Sequence, residues 1–188
     1  MVELQHGQEP RPLRDYRQRH SGRSWGDTAF EPVRPVVRRQ LSAEQAGLCA
    51  YCESALSADA GHLDHIKSRK HYPTLVFVYT NLAQSCNGPG HCGHHKSDRV
   101  LPVEPRADCN LFFALTALDG RLDPASGLTP DETERAKETR DILGLNLPRL
   151  TWQRKQWADS TRALTNPADI VEFLASAPFR WSLRGLIP

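Results

Sequence analysis

No run of apolar residues in this chain approaches the ~20 that a membrane helix needs. The longest clear one is Leu75-Val76-Phe77-Val78-Tyr79. The first residues, MVELQHGQEPRPLR, lack the apolar core of a secretion signal, so the expected compartment is the cytoplasm, with no membrane association. There is no Walker-type nucleotide loop, which assigns any control by ATP to another protein. Internal repeats and low-complexity tracts are absent. Neither charge sign dominates: 24 Lys and Arg against 22 Asp and Glu leave a net charge of +2, so bulk charge does not announce a nucleic-acid partner. No capped helix carrying obvious base-reading Arg or Asn residues stands out either. What remains is a globular composition, 39% hydrophobic and 24% charged, over 188 residues, enough for one domain with extensions.

Residues 11–39 hold eight arginines and three acids, with Trp25 and Phe30 as candidate anchors. This basic arm is a solvated surface segment or a phosphate-contacting one. Val33, Val36, Val37 and Leu41 have helical spacing. Ser42-Ala43-Glu44-Gln45 resembles a short capping box, and Gly47 stops that turn. Residues 63–66 and 75–79 are strand candidates. The last third is predicted helical. Thr129-Pro130-Asp131-Glu132 starts one helix that ends near Leu143-Gly144, a second runs over about 150–164, and Asn166-Pro167 opens a third. Phe179, Trp181, Leu183, Leu186 and Ile187 crowd the C-terminal end. Those that do not complete the core would form an apolar partner surface.

Cysteine usage is the first pointer to chemistry. Four of the five cysteines and six of the eight histidines lie between residues 49 and 95. Without a secretion signal, such clustering favours metal over disulfides. Cys49-Ala-Tyr-Cys52 is a CxxC; Cys86 and Cys92 form a looser pair around Asn-Gly-Pro-Gly-His. Four thiolates suit one structural zinc, and the Gly-Pro-Gly insert can loop out to keep the second pair close. Cys109 has no evident partner and is expected to be a core residue.

Between the pairs lies His62-Leu-Asp64-His65-Ile-Lys67-Ser-Arg69-Lys70. A carboxylate can hold a hard divalent cation, Mg²⁺ or Mn²⁺. An imidazole can accept a proton from water near neutral pH. The two together make a phosphodiester hydrolysis site. Lys67, Arg69, Lys70 and Lys96, with Arg99, would flank it and contact phosphates. Neighbours in a regular strand point to opposite faces, so Asp64 and His65 share a site only if the strand bends, bulges or ends there. Alternatively His62 and Asp64, two apart, share a face and bind metal together.

The pattern CAYCE, HLDHIKSRKHYP, YTNLAQSCNG, CGHHKSD resembles an HNH endonuclease, and more narrowly the HNH subunit of Septu-type anti-phage defence systems. The motifs span residues 49–98. The resemblance implies an α+β fold: a ββα-metal, treble-clef-like core with a structural zinc knuckle, surrounded by N- and C-terminal helices. The corresponding division is 1–48 as basic arm and leading helix, 49–105 as nuclease core, and 106–188 as helical region packed on it. Asp64 would bind the catalytic cation. His65 would be the general base, and Asn81 would orient it through a hydrogen bond. Many such motifs carry His or Asn directly after the final knuckle cysteine, where this chain has Gly93. His94, His95 or Asp98 then supplies the second ligand, with His94 favoured. His71 and His91 are read as surface or extra zinc-binding residues. The implied function is metal-dependent DNA cleavage in a defence complex with an ATPase encoded nearby. The competing readings are an RNase using the same site and a zinc-stabilised binding module with an inactive site.

Overall fold

The computed structural model describes residues 1–20, 24–57 and 60–186. The basic arm folds into helix α1 (Arg11–Arg19) and helix α2 (Arg34–Glu44), each opened by a proline in its first turn. Leu13, Tyr16, Phe30, Val37 and Leu41 form a buried cluster beneath them, against which Trp25 and Phe77 pack. The segment Ser42-Ala43-Glu44-Gln45 does not start a helix; it ends α2. The helix arriving from Val33 already satisfies those backbone donors, so there is no terminus to cap. Gln45 is buried and binds the Leu48 and Gln84 carbonyls instead. Gly47, at φ +70°, makes the stop.

Strand β1 (His62–His65) pairs antiparallel with β2 (Leu82–Ser85), His65 opposite Leu82 and His62 opposite Ser85. The second strand is therefore 82–85, not the β-rich run 75–79. That run breaks into single 3-10 turns at Pro73–Leu75 and Tyr79–Asn81, because Phe77 turns inward to meet Phe30 and Tyr16, with ring centroids 5.1 and 5.0 Å away. Helix α3 (Cys92–Lys96) follows β2 and is tied to the next region by the Cys92 amide, which donates to Leu143 O at 2.8 Å. A second hairpin, β3 (Phe113–Thr116) and β4 (Arg121–Pro124), leads into α4 (Pro130–Ile142), α5 (Pro148–Arg162), α6 (Pro167–Ser176) and α7 (Arg180–Arg184). Thr129 and Glu132 make the reciprocal capping box at α4, and Asn166 caps α6. No helix among the described residues is long and apolar enough to cross a membrane.

The C-terminal apolar residues are spent on the core. Phe179, Leu183 and Leu186 pack with Ala158 and Leu174, and Trp181 lies against Val2, Leu4, Ala50 and Ile66; Ile187 lies outside the described residues. The buried Glu53 carboxylate holds α7 in place. It accepts from the Trp181 amide at 2.8 Å and the Ser182 hydroxyl at 2.6 Å, and pairs with the Met1 ammonium at 2.9 Å. Burial opposes its charge, but the ammonium and Ser182 outweigh that and lower its pKa. Large apolar side chains that do stay exposed are Val100, Leu111, Leu118, Trp152 and Val171.

Candidate functional site

The Cys49–Cys52 turn sits in a small hairpin closed by the Leu48–Ala55 bridge, with the Glu53 amide bonded back to Cys49 O at 3.0 Å. β2 delivers Cys86, and α3 begins at Cys92. The four ligand sulfurs lie within 4.8 Å of one another, all buried, so the cluster can hold a metal ion. A tetrahedral zinc with bonds of ~2.3 Å has ligand–ligand edges of about 3.8 Å. Cys52 Sγ and Cys86 Sγ are 3.8 Å apart, which fits. The Cys86 amide donates to Cys49 Sγ at 3.3 Å, a bond that favours thiolate. His91, which sequence left as surface or extra ligand, is buried, with Nδ1 3.1 Å from Cys92 Sγ and 3.6 Å from Cys86 Sγ. Cys109 is buried, its thiol nearest the Met1 and Val2 carbonyls at 3.9 and 3.8 Å, as expected of a core residue.

Beside this knuckle lies a cleft of about 620 Å³. Five consecutive residues, Gly61 to His65, line it. Among the described residues β1 pairs with β2 alone, and residues that alternate along it border the same cleft. Residues from both faces of the strand thereby reach one space. This resolves the alternation problem: Asp64 and His65 both border the cleft although the strand is regular, because it also ends at His65.

His65 is buried beneath Trp25, whose ring meets it edge-on at 4.4 Å between centroids. Its Nε2 is 2.9 Å from the Val76 carbonyl. A carbonyl only accepts, so Nε2 carries the hydrogen and the neutral ring keeps its lone pair on Nδ1. Burial lowers the His65 pKa to about 4, against the pull of the Val76 bond and Asp64, so the ring is neutral at physiological pH. Asp64 is held through one oxygen. Tyr51 OH donates to Oδ2 at 2.5 Å, and Lys96 Nζ lies 3.3 Å from the same atom. Burial and the Asp64 charge raise the Tyr51 pKa well above normal, which keeps its hydroxyl a donor.

Among the described residues the Asn81 side chain makes no hydrogen bond to His65. Its Oδ1 accepts from the Lys67 amide at 2.8 Å, and its Nδ2 donates to Lys67 O and Leu75 O at 3.0 and 3.2 Å. It thus ties the chain after β1 to Leu75, the residue before Val76. Lys96 borders the cleft but is buried. Its side chain is 1% exposed and its ammonium is committed to Asp64, His65 O at 2.9 Å and Ser97 O at 3.2 Å. Arg69 and Lys70 are exposed, Arg69 6.0 Å over the Trp25 ring, and Lys67 lies 3.7 Å from Glu104. Arg34 and Arg38 from α2 also line the cleft. Of the candidate second ligands, His94 and Asp98 border the cleft; His95 does not, and its Nδ1 lies beside Gly144. Tyr51 and the Val76 carbonyl were not anticipated from sequence, whereas Trp25, expected as an anchor of the arm, packs on His65. Of the unanticipated two, Tyr51 alone left a signal, inside the CxxC.

No family model matches the chain. A protein of Vibrio cholerae serotype O1 biovar El Tor, named as a candidate HNH endonuclease of retron Vc95, is 32% identical over 209 aligned positions. The match covers 99% of each chain. The chain belongs to the HNH endonuclease family. The paired strands, the four-cysteine cluster and the helix that starts at Cys92 are compatible with the zinc-binding α+β fold of HNH endonucleases.

Proposed function

We propose that this protein is a metal-dependent HNH endonuclease that hydrolyses phosphodiester bonds in DNA. β1, β2 and α3 form its ββα-metal core, with zinc on Cys49, Cys52, Cys86 and Cys92 as the structural knuckle. The observation that carries the reading is the His65 imidazole, neutral and fixed by the Val76 carbonyl, beside Asp64 in an arginine-lined cleft. His65 Nδ1 takes a proton from water as it attacks phosphorus, and the resulting imidazolium forms beside the Asp64 carboxylate. A divalent cation on Asp64 would supply charge stabilisation for the phosphate oxygens and the departing oxygen. Arg69, Lys70 and Arg34 hold the phosphate backbone against the cleft. Supercoiled plasmid should be nicked in Mg²⁺ or Mn²⁺, stopped by EDTA and restored by adding either ion back. An RNA substrate runs in parallel. Cleavage of RNA alone would make the protein an RNase, and cleavage of neither would make it a binding module.

The anti-phage role and the partner belong to the same proposal. The family relative is named for a retron, and the motifs resemble the Septu-type nuclease subunit. The chain has no nucleotide loop of its own, so an ATPase encoded nearby would gate DNA access to the cleft. Phe179 is buried and Trp181 half-buried; exposed Trp152 and Val171, on α5 and α6, with Val100, Leu111 and Leu118, are the apolar surface left for contact. The two gene products should co-purify at micromolar concentration. Separate elution in size-exclusion chromatography removes the partner.

A further inference from the structure

Gly93 stands where related motifs place a ligand, and its surroundings explain what replaced it. A β-carbon there would lie 2.8 Å from His62 Nε2, 2.9 Å from Asp64 Cγ and 3.0 Å from Ser85 Oγ. Separations under 3.0 Å are too close for any real side chain, so residue 93 must be glycine while His62 and Asp64 keep these positions. The space a side chain would use is taken by the His62 ring. That ring is also aimed. Its Nδ1 is 2.9 Å from Asn87 Oδ1. A carboxamide oxygen only accepts, so Nδ1 carries the hydrogen and the Nε2 lone pair faces the Gly93 gap and Asp64. A histidine whose far nitrogen donates to a fixed oxygen is the usual arrangement of a metal-bound imidazole. His94 stacks on the same ring at 4.0 Å between centroids, and its Nε2 is 3.3 Å from the same Asn87 oxygen. His94 thus supports the His62 ring, with its own Nε2 turned to Asn87. On Asp64, the Tyr51 and Lys96 contacts both fall on Oδ2, and Oδ1 takes none among the described residues.

We infer that His62 Nε2, with Asp64, is the protein's second ligand for the cation of the cleft, replacing the side chain that Gly93 lacks. This rests on the nuclease reading above. Two protein ligands suffice for a cation whose other positions belong to water and substrate phosphate. Among the described residues, the cysteines are the sole cluster of three or more metal-type side chains, so the cleft has no complete protein cage. Imidazole also shifts preference away from Mg²⁺ toward transition ions.

The test is Mn²⁺ binding to the full-length, zinc-loaded protein without nucleic acid, read from free Mn²⁺ by electron paramagnetic resonance. His62→Ala and His62→Phe should each weaken Mn²⁺ binding by about tenfold or more, of the order seen when even a supporting group of a metal site is lost. Phenylalanine keeps the ring against His94 but has no lone pair, so it separates ligation from packing. His94→Ala removes a ring contact but no ligand, so it should weaken Mn²⁺ binding less than either His62 variant does. Zinc content and melting temperature serve as the fold controls for every variant. If both His62 variants bind Mn²⁺ like the parent while Asp64→Ala does not, the inference is overturned and the nuclease reading stands. If Asp64→Ala also binds normally, the cation is elsewhere and both fall.

Discussion

His65→Ala should cut plasmid cleavage by about 10²–10⁴-fold or more, with zinc content, melting temperature and DNA binding close to those of the parent. Several features converge on this one ring. Its Nε2 hydrogen is used by the Val76 carbonyl, its Nδ1 lone pair is left for a proton, and burial keeps it neutral. His6 shares the carbonyl bond and the burial, its Nε2 2.8 Å from Leu82 O, but it does not border the cleft. His94 is largely exposed, with a pKa lowered by burial and by His62, and His95 does not border the cleft. The structural cost of removing the ring is bounded. It loses the Val76 bond and the edge contact with Trp25, and leaving one carbonyl short of a partner costs about 1–3 kcal/mol. Most domains tolerate that, so the loss of rate is separable from loss of fold. His65→Gln is the companion variant, since its amide can donate to Val76 O without supplying a base. Undiminished cleavage by either folded variant would refute the assignment.

Cys49→Ser should release the knuckle zinc and unfold the protein, or leave it insoluble. Binding of structural zinc contributes roughly 10–16 kcal/mol in small zinc-finger peptides, which equals or exceeds the ~5–15 kcal/mol that holds a domain together. Here the cluster joins three separate pieces of chain. The Cys49–Cys52 turn, the end of β2 and the start of α3 meet at the sulfurs, and the same core contains Leu143, Leu145 and Leu150 from the helical region. Losing the ion therefore loosens the cleft and the C-terminal helices together. Elemental analysis of the parent should find one zinc per chain. Cys109→Ser, equally buried but far from the sulfurs in function, should retain it. A folded parent with no zinc, or a Cys49→Ser variant that keeps both zinc and melting temperature, would sink the knuckle.

The helices of the last third were readable from residues 129–132 and 166–169, because a cap is a local device: its donor and acceptor lie within one turn. The pairing of β1 was not readable. Residues 75–79 have the better strand composition, but pairing is decided by what the other side chains need. Phe77 is taken by the aromatic cluster under α1 and α2, which leaves 82–85 to form the ladder. The box at 42–45 failed for a related reason. The same short motif starts a helix or ends one according to what precedes it.

The sequence by itself determined the chemical inventory of this protein: two cysteine pairs, an adjacent Asp64 and His65, an asparagine downstream, and a glycine where a ligand was expected. Such assignments depend on residue type and spacing, which the chain carries without folding. Tertiary structure decided the roles. It turned Asn81 toward Lys67 and Leu75 rather than His65, gave His65 a backbone carbonyl from Val76, and brought Trp25 from the arm to cover it. It buried Lys96 against Asp64, and it filled the Gly93 gap with His62. The physical reason is common to all of these. A buried polar group must find its partner among whatever the fold places within about 3 Å, and that neighbourhood is assembled from segments far apart in sequence.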